Sequence, residues 1–420
     1  MSAQLRPGYK LTDIGVFPIK WSVKKLGEIT TLMTNGFVGT ATSAYVKGDD
    51  GILYVQGFNV EPNSFNFRGI KRVSATFHAQ NQKSCLRTGD LLTIQTGDIG
   101  TTTLVPPSLA GANCHALVIS RLDLRRSSPE FYCQYFNSDE GRAAFKVIET
   151  GTTMKHLNVG DMVRLLVPSP PLDEQQAIAA ALFDMDALIS GLDQLIAKKC
   201  DIKKAAMQQL LTGQQRLPGF SGEWEVKRLG EIGVFLKGSG VRRDQSLSGD
   251  LPCIRYGEIY TEHNDYIREF KSFISVQVSR DATRIECGDI MFAGSGETKK
   301  DIGKCVSFID NIEAYAGGDI VILRPKNVSS LFLGYVLNAP RVSHQKASRG
   351  QGDAVVHISA NALATIEVLM PNKAEQSAIA NILADMDNEL ASLETHRNKI
   401  SKLKLGAMQQ LLSGKIRLLY

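Results

Sequence analysis

The chain repeats its own sequence after about half its length, and this duplication restricts its possible folds more than any other feature. Four segments recur in the same order, at offsets of 199 to 203 residues. The four pairs, first copy and then second copy, are 21–29 and 224–232, 89–91 and 288–290, 174–186 and 375–387, and 206–213 and 407–414. Because chance would not keep four segments in order, the sequence predicts two equivalent structural units.

Between these segments the two copies differ almost completely. Residues 35–85 share little with residues 238–285 beyond a rough strand pattern. A common scaffold with two unlike surfaces suits a pseudo-twofold protein in which each copy meets a different target, such as two half-sites of a duplex.

Each copy ends in a segment with the seven-residue apolar period of paired helices. A helix from residue 172 to 211 would be about 60 Å long at about 1.5 Å per residue. We predict that the two helices pair as an antiparallel coiled coil, although each apolar stripe could instead pack on its own domain. The expected interface residues are Ile178, Leu182, Met185, Ile189, Leu192, Ile196, Ile379, Leu383, Met386, Leu390, Leu393 and Ile400.

The remainder of each copy contains short β-branched or aromatic runs between Gly, Asp and Pro turns, followed by one helical stretch. The predicted strands lie at 51–56, 91–95, 116–120, 252–256, 289–292, 304–308 and 319–323, and the helices near 129–148 and 330–346. We therefore predict an α+β fold, with two duplicated domains of mixed sheets separated by two long helices. The predicted segments are 1–171, 172–217, 218–370 and 371–420.

Composition permits nucleic-acid binding without requiring it. The net charge is +5, from 48 basic and 43 acidic residues. Residues 1–171 hold 18 basic and 13 acidic side chains, whereas residues 218–370 hold 18 and 19, which excludes a uniformly basic face for the second domain. No apolar stretch is long enough to cross a bilayer and no signal peptide opens the chain, so we expect a cytoplasmic protein.

Candidate DNA contacts lie in loops that mix small residues with Lys, Arg, Gln and Thr, the side chains that reach phosphates and base edges. The loop 151–156 in the first domain occupies the same position as the loop 350–357 in the second. The candidates are Thr153, Lys155, His156, Arg242, Arg243, Lys299, Lys300, Lys346, Arg349 and Gln351.

Motifs for catalysis are missing from the sequence. It lacks a phosphate-binding loop, a dinucleotide-binding glycine motif, and the Asn/Asp-Pro-Pro-Tyr/Phe tetrapeptide that holds a flipped adenine. The cysteines form no Cys-x-x-Cys pair or zinc spacing. One enzymatic alternative is a Mg²⁺-dependent nuclease that uses Asp289, Glu297 and Lys299, but such short patterns often arise by accident. We therefore expect no catalytic residue, metal or cofactor in this chain.

Taken together, the repeated motifs resemble the specificity subunits of type I restriction and modification enzymes over essentially the whole chain. They are Trp-x-Val-Lys-x-Leu-Gly-Glu-Ile at the start of each half, Gly-Asp-Ile/Leu within it, Pro-x-x-x-x-Glu-Gln at the start of each helix, and Met-Gln-Gln-Leu-Leu-Thr/Ser-Gly at its end. The resemblance implies that residues near 20–165 and 222–366 are target-recognition domains, each reading half of a bipartite DNA sequence. It implies that helices 172–213 and 373–414 set the spacer between the halves.

The same resemblance implies several partners. Two modification subunits would bring S-adenosylmethionine and methylate adenine, and restriction subunits would use ATP, with Mg²⁺, to translocate and cut. The rival interpretation is a scaffold that joins two copies of a protein partner without DNA. The different charge and loops of the two halves oppose it, because identical partners should meet similar surfaces.

Overall fold

The computed structural model describes residues 6–153, 155–352 and 355–418, which form two compact units. The first unit comprises residues up to 193 together with those from 395 onward, and the second comprises residues 194–394. None of the helices in the described ranges combines the length and apolar character needed to cross a bilayer. The division into units falls inside both long helices, whereas the sequence suggested boundaries at the helix starts.

The first unit consists of short strands and short helices followed by a long helix. The strands are β1 (Tyr9–Thr12), β2 (Gly15–Pro18), β3 (Ser22–Lys25), β4 (Thr30–Asn35), β5 (Ile52–Val55), β6 (Val60–Glu61), β7 (Ser64–Phe65), β8 (Lys71–Val73), β9 (Leu91–Ile94), β10 (Thr102–Leu104), β11 (Asn113–Cys114), β12 (Leu117–Leu122) and β13 (Leu166–Ser169). The helices are α1 (Ala75–Gln80), α2 (Pro129–Asn137), α3 (Asp139–Ile148), α4 (Val159–Arg164) and α5 (Leu172–Leu210), of which α5 continues into the second unit.

A four-stranded antiparallel sheet in the order β10-β9-β12-β4 forms the centre of this domain. Its two middle strands are apolar runs that are almost entirely buried, as expected for strands covered on both faces. A second sheet, β11-β5-β8, contains the parallel pair β11/β5, and β13 pairs with β3. The predicted mixed sheets are therefore confirmed.

The second unit repeats this plan. Its strands are β14 (Glu225–Arg228), β15 (Gly233–Lys237), β16 (Leu251–Ile254), β17 (Ser272–Ile274), β18 (Thr283–Ile285), β19 (Ile290–Ala293), β20 (Ser295–Gly296), β21 (Cys305–Ser307), β22 (Ala314–Ala316), β23 (Ile320–Pro325), β24 (Val356–His357) and β25 (Glu367–Met370). The helices are α6 (Leu229–Ile232), α7 (Tyr256–Thr261), α8 (Val276–Ser279), α9 (Ser330–Asn338), α10 (Pro340–Arg349), α11 (Ala360–Ala364) and α12 (Lys373–Leu411).

The sheet order of the second domain matches that of the first. The strands β21-β19-β23-β15 are hydrogen bonded in the same sequence as β10-β9-β12-β4, and β22 runs parallel to β16 as β11 does to β5. The duplication in the sequence is thus a duplication of topology.

The prediction of a single helix near 129–148 and another near 330–346 is wrong, because each of these segments forms two consecutive helices. In the first domain Ser138 ends α2 and caps α3, accepting a hydrogen bond from the Gly141 N–H. In the second, Ala339 is extended, and Pro340 begins a new helix at a position where its missing N–H costs nothing.

The helices α5 and α12 begin where the proline-flanked Glu-Gln segments predict, and they run antiparallel to each other within each unit. In the first unit, Asp186 and Asp193 of α5 pair with Lys404 and Arg397 of α12. In the second unit, Lys199 and Lys203 pair with Glu389 and Asp387. As residue numbers rise along one helix they fall along the other, which confirms antiparallel pairing.

All twelve predicted interface residues are buried or partly buried, but they do not form a single helix-to-helix seam. Ile178 and Leu182 lie in the core of the first domain, together with Met408 and Leu411 at the end of α12 and Leu412 just after it. The core of the second domain likewise contains the start of α12 and the end of α5. The alternative interpretation, in which apolar stripes pack on the domains, therefore holds at the helix ends.

Candidate functional site

Loops from several strands meet at one end of the four-stranded sheet of the second domain. Three backbone hydrogen bonds tie them together: Gly294 N–H to Asp319 O at 2.7 Å, Ile358 N–H to Gly294 O at 2.9 Å, and Gly318 N–H to Gly240 O at 3.1 Å. We call this end of the second domain its loop edge, formed by residues 237–247, 294–300, 317–319, 351–352 and 355–358.

Two clefts open at the loop edge of the second domain. One, of about 760 Å³, is lined in part by Arg243, Leu247 and Tyr256, and the other, of about 400 Å³, by Lys237 and His357. Both are bordered by Asp319, which has a φ of +58° just before β23. Tyr256 is 41% exposed and Leu247 is 79% exposed, so an aromatic and an apolar side chain are accessible beside positive charge.

Four predicted contacts of the second domain are exposed basic side chains in these loops, namely Arg242, Arg243, Lys299 and Lys300. None of them forms an ion pair within the part of the chain that the structure describes. Gln351 is also exposed, and its backbone exchanges hydrogen bonds with that of His357 at 2.9 and 2.7 Å. These side chains are available to an anionic ligand.

The first domain forms an equivalent closed loop. Thr150 and His156 exchange backbone hydrogen bonds of 3.0 and 2.9 Å, and the Leu157 N–H donates to Gln95 O at 3.0 Å. The predicted contacts Thr153, Lys155 and His156 are exposed on this loop, where the Lys155 ammonium lies 3.2 Å from Glu149. Residue 154 in this loop, and residues 353–354 in its counterpart, lie outside the described residues.

The structure contradicts the prediction that Lys346 contacts DNA. Its side chain is 1% exposed, and its ammonium donates a hydrogen bond of 2.6 Å to the Gly303 carbonyl. Burial lowers the pKa of this lysine. A side chain enclosed in this way cannot reach DNA, so Lys346 supports the loop 297–303 from inside the domain.

Arg349 is only partly available. Its guanidinium donates hydrogen bonds to Thr365 Oγ1 at 2.8 Å and to the Gln345 carbonyl at 2.9 Å. These contacts hold the end of α10 against the turn after α11, which is a structural role that the sequence did not indicate.

Asp289, the first residue of the nuclease alternative, is occupied by protein contacts. It is 1% exposed and accepts two hydrogen bonds from Arg324, together with one from the Glu286 N–H at 2.8 Å. Glu297, in contrast, is exposed. The carboxylate therefore shapes the turn before β19, and no group of three metal-ligating side chains occurs among the described residues.

The loop edge of the first domain is formed by the equivalent residues 36–38, 95–100, 115–116, 150–153 and 155–157, joined by hydrogen bonds from Ala116 N–H to Phe37 O at 2.9 Å and from Leu157 N–H to Gln95 O at 3.0 Å. A largely buried aromatic group lies beside it. Tyr54 Oη lies 2.9 Å from His115 Nδ1, and Phe37 packs against Phe77 with ring centroids 4.9 Å apart. Burial lowers the pKa of His115, which favours the neutral ring. Sequence reasoning missed this aromatic group, because the residues are scattered between positions 37 and 115 without a common spacing.

Accessible apolar side chains also distinguish the first domain. Val38, Phe58 and Phe67 are 66%, 55% and 50% exposed. Ala116, which precedes β12 as Asp319 precedes β23, has a φ of +46°. The two domains therefore share a residue of positive φ before the equivalent strand, but the exposed side chains near it differ, with Val38 in the first domain and Arg242 and Arg243 in the second.

Comparison with known proteins gives one consistent family. The profile of the family described as "Type I restriction modification DNA specificity domain" matches residues 18–198 and again residues 221–402. Two relatives from Methanocaldococcus jannaschii are similar to this chain. The type I restriction enzyme MjaVIII specificity subunit is 24% identical over 64% of this chain and 66% of that protein, just under two thirds of its length. The putative MjaX specificity subunit is 23% identical over 97% of this chain and 96% of that protein.

Solved structures show the same fold. The S subunit of a type I restriction-modification system from M. genitalium has a TM-score of 0.62 at 16% identity, covering 97% of this chain and 99% of that one. A chain from a study of complex assembly and conformational transition in the type I system has a TM-score of 0.54 at 18% identity, covering 95% and 99%.

Proposed function

We propose that the two domains of this chain each recognise one half of a bipartite DNA site. The chain belongs to the family of type I restriction-modification DNA specificity subunits. The observation that carries this proposal is the presence of two family domains with equivalent backbones and unlike loop edges. Identical targets would favour identical edges, whereas two different base sequences require different side chains at the same positions.

The loop edges have the chemistry that DNA recognition needs. In the second domain Arg242, Arg243, Lys299 and Lys300 are free to contact phosphates or the edges of guanine. In the first domain the exposed Val38 suits thymine methyl groups, and Lys155 supplies a positive charge. The two edges should therefore read different bases.

We also propose that two modification subunits dock on the long helices and that restriction subunits join the complex. On α5, Leu188, Leu195 and Ile202 are 46%, 38% and 43% exposed at steps of seven residues. Exposed apolar side chains at this period mark a face suited to a partner helix. S-adenosylmethionine, ATP and Mg²⁺ would then act in the partner subunits, where the chemistry takes place.

A selection on random duplexes, with the purified chain and its modification subunit, tests this function. We expect one enriched motif with two separated parts. The double variant Arg242→Ala, Arg243→Ala should change or lose only one part. The control is Lys326→Ala, an exposed lysine just beyond the opposite end of β23, which should leave both parts unchanged.

The outcome separates the competing interpretations. Failure of the wild-type complex to enrich any motif would reject sequence recognition and favour a protein scaffold. If the double arginine variant altered both parts equally, the assignment of one half-site to each domain would be wrong.

A further inference from the structure

In the first unit, one carboxylate of α5 contacts both the recognition domain and the other long helix. Asp186 accepts hydrogen bonds from Gln134 Nε2 of α2 at 2.8 Å and from Asn63 Nδ2 at 3.3 Å. It also forms an ion pair with Lys404 Nζ of α12 at 2.5 Å. We call these four residues the Asp186 cluster. The side chain of Lys404 is 13% exposed and that of Asp186 is 29% exposed, so the charges are partly removed from water.

The second unit has the same arrangement 201 residues later. Asp387 of α12 accepts a hydrogen bond from the Tyr335 hydroxyl of α9 at 2.7 Å. It also forms an ion pair with Lys203 of α5 at 2.6 Å. Lys203 also lies 3.5 Å from Asp265, which follows α7. Arg268 of the domain also lies 3.8 Å from the Asp387 carboxylate. These five residues are the Asp387 cluster, and the side chains of Lys203 and Asp387 are 14% and 15% exposed.

Two further ion pairs between the long helices form no hydrogen bond or ion pair with a domain in the described part of the chain. Asp193 and Arg397 pair at 2.9 Å, but their side chains are 50% and 39% exposed. Lys199 and Glu389 pair at 2.7 Å with 34% and 47% exposure. Exposed pairs of this kind contribute little because water screens them. The two clusters are therefore distinguished by burial and by joining three elements at one carboxylate.

We infer that Asp186 and Asp387 are positioning residues that fix the orientation of each recognition domain on its pair of helices, and so determine which spacer between half-sites the chain accepts. This inference rests on the proposed function. A change of one base pair in the spacer shifts a half-site by about 3.4 Å along the duplex and turns it by about 35°. A domain held by a charged, partly buried contact resists such a change, whereas a domain that can pivot tolerates it.

The test measures spacer discrimination. Duplexes carry the selected bipartite motif with its own spacer, or with one base pair added or removed, and binding is measured with the modification subunit present. The variants are Asp186→Asn, Asp387→Asn and both together, because asparagine keeps the size of the side chain but loses the charge that Lys404 or Lys203 requires. Asp193→Asn is the matched control, since it removes a helix-to-helix pair that touches no domain.

We expect the double variant to lose about tenfold of its discrimination against the altered spacers, which corresponds to about 1.4 kcal/mol. The bases selected within each half should not change, because the loop edges are untouched. Asp193→Asn should change discrimination by less than about twofold, as an exposed pair does. Tyr335→Phe removes the hydroxyl contact between the domain and Asp387 and leaves the longer Arg268 contact of 3.8 Å. It should relax discrimination in part, without disturbing the helix pair.

The outcomes are distinguishable. Unchanged spacer preference in the double variant and in Tyr335→Phe, with helix content and thermal unfolding like the wild type, would overturn this inference and leave the proposed function intact. If the aspartate variants did not fold, Tyr335→Phe alone would decide in the same way. A wild-type complex that selects no bipartite motif would overturn both.

Discussion

Arg324 donates two hydrogen bonds to the buried carboxylate of Asp289, from Nε at 2.9 Å and from Nη2 at 2.8 Å. The first domain repeats the contact between Arg121 and Asp90, with both hydrogen bonds at 2.7 Å. Each aspartate also accepts a hydrogen bond of 2.8 Å from a backbone N–H three residues earlier. The duplicated Gly-Asp segment is thus explained by a turn whose carboxylate is neutralised by an arginine of the neighbouring strand.

Replacing Arg324 with methionine should destabilise the second domain strongly. The change leaves Asp289 buried without its cation, which costs about 3 kcal/mol when one partner of a buried pair is lost. Urea denaturation followed by circular dichroism measures the effect. Arg243→Met, an exposed arginine of the same domain, is the control and should change the free energy of unfolding by less than about 0.5 kcal/mol. A loss below 1 kcal/mol for Arg324→Met would contradict a structural role for this pair.

The two tryptophans of the repeat should respond differently to phenylalanine. Trp21 is fully buried, and its indole N–H donates a hydrogen bond of 3.0 Å to Glu174, which also pairs with Arg417. The indole N–H of Trp224 is buried but has no hydrogen-bond partner among the described residues. We therefore expect Trp21→Phe to cost about 1 to 2 kcal/mol more than Trp224→Phe, because only Trp21 loses a hydrogen bond to a charged group. Equal losses in thermal unfolding would show that this hydrogen bond contributes nothing.

Local periodicity explains what the sequence predicted well. The apolar runs at 91–94 and 290–293 are strands because a strand covered on both faces needs no alternation. The helices beginning at residues 172 and 373 follow from a seven-residue period preceded by prolines. The duplication added what no single period contains, namely that both halves share one topology.

Contacts distant in sequence explain what was missed. Asp289 meets Arg324 after 35 residues, and no spacing rule indicates that an arginine in a strand will turn toward an aspartate in a turn. The sequence places Lys346 in a local cluster with Arg349 and Gln351 and so predicts a DNA contact, yet its position on α10 faces the core. The aromatic pair of Tyr54 and His115 is brought together only by the parallel contact of β5 with β11. Side-chain burial depends on packing, which the sequence period alone does not define.

Exposed and buried lysines of the second domain should differ in how much they contribute to the salt dependence of DNA affinity. Lys299 and Lys300 are exposed beside the loop edge, so replacing both with alanine should lower the slope of log affinity against log salt by about 1 to 2 if they neutralise phosphates. Lys346→Met should leave the slope unchanged, because the buried ammonium never meets DNA, although loss of its hydrogen bond to Gly303 should lower the affinity by disturbing the loop. Fluorescence anisotropy at several salt concentrations measures both quantities. A reduced slope for Lys346→Met would show that the Lys346 ammonium contacts DNA after all.

The acidic pair in the Asp387 cluster should make the second unit sensitive to pH. Burial raises the pKa of Asp265 even though Lys203 lies 3.5 Å away and opposes the shift. The folded state therefore binds the Asp265 proton more tightly than the unfolded chain does, and this contribution to stability is lost as pH rises through the folded pKa. Asp265→Asn should accordingly stabilise the chain at pH 7 to 8, with the gain disappearing below about pH 4. Asn63 takes the equivalent position in the first unit, since Asn137 donates a hydrogen bond to Asn63 as Asn338 does to Asp265. Asn63→Asp is therefore the reciprocal control and should destabilise the chain near neutral pH, because Asn63 also lies against the Asp186 carboxylate. Free energies of unfolding in urea across this pH range provide the measurement, and an Asp265→Asn variant that is less stable than the wild type at every pH would show that the ion pair with Lys203 outweighs burial.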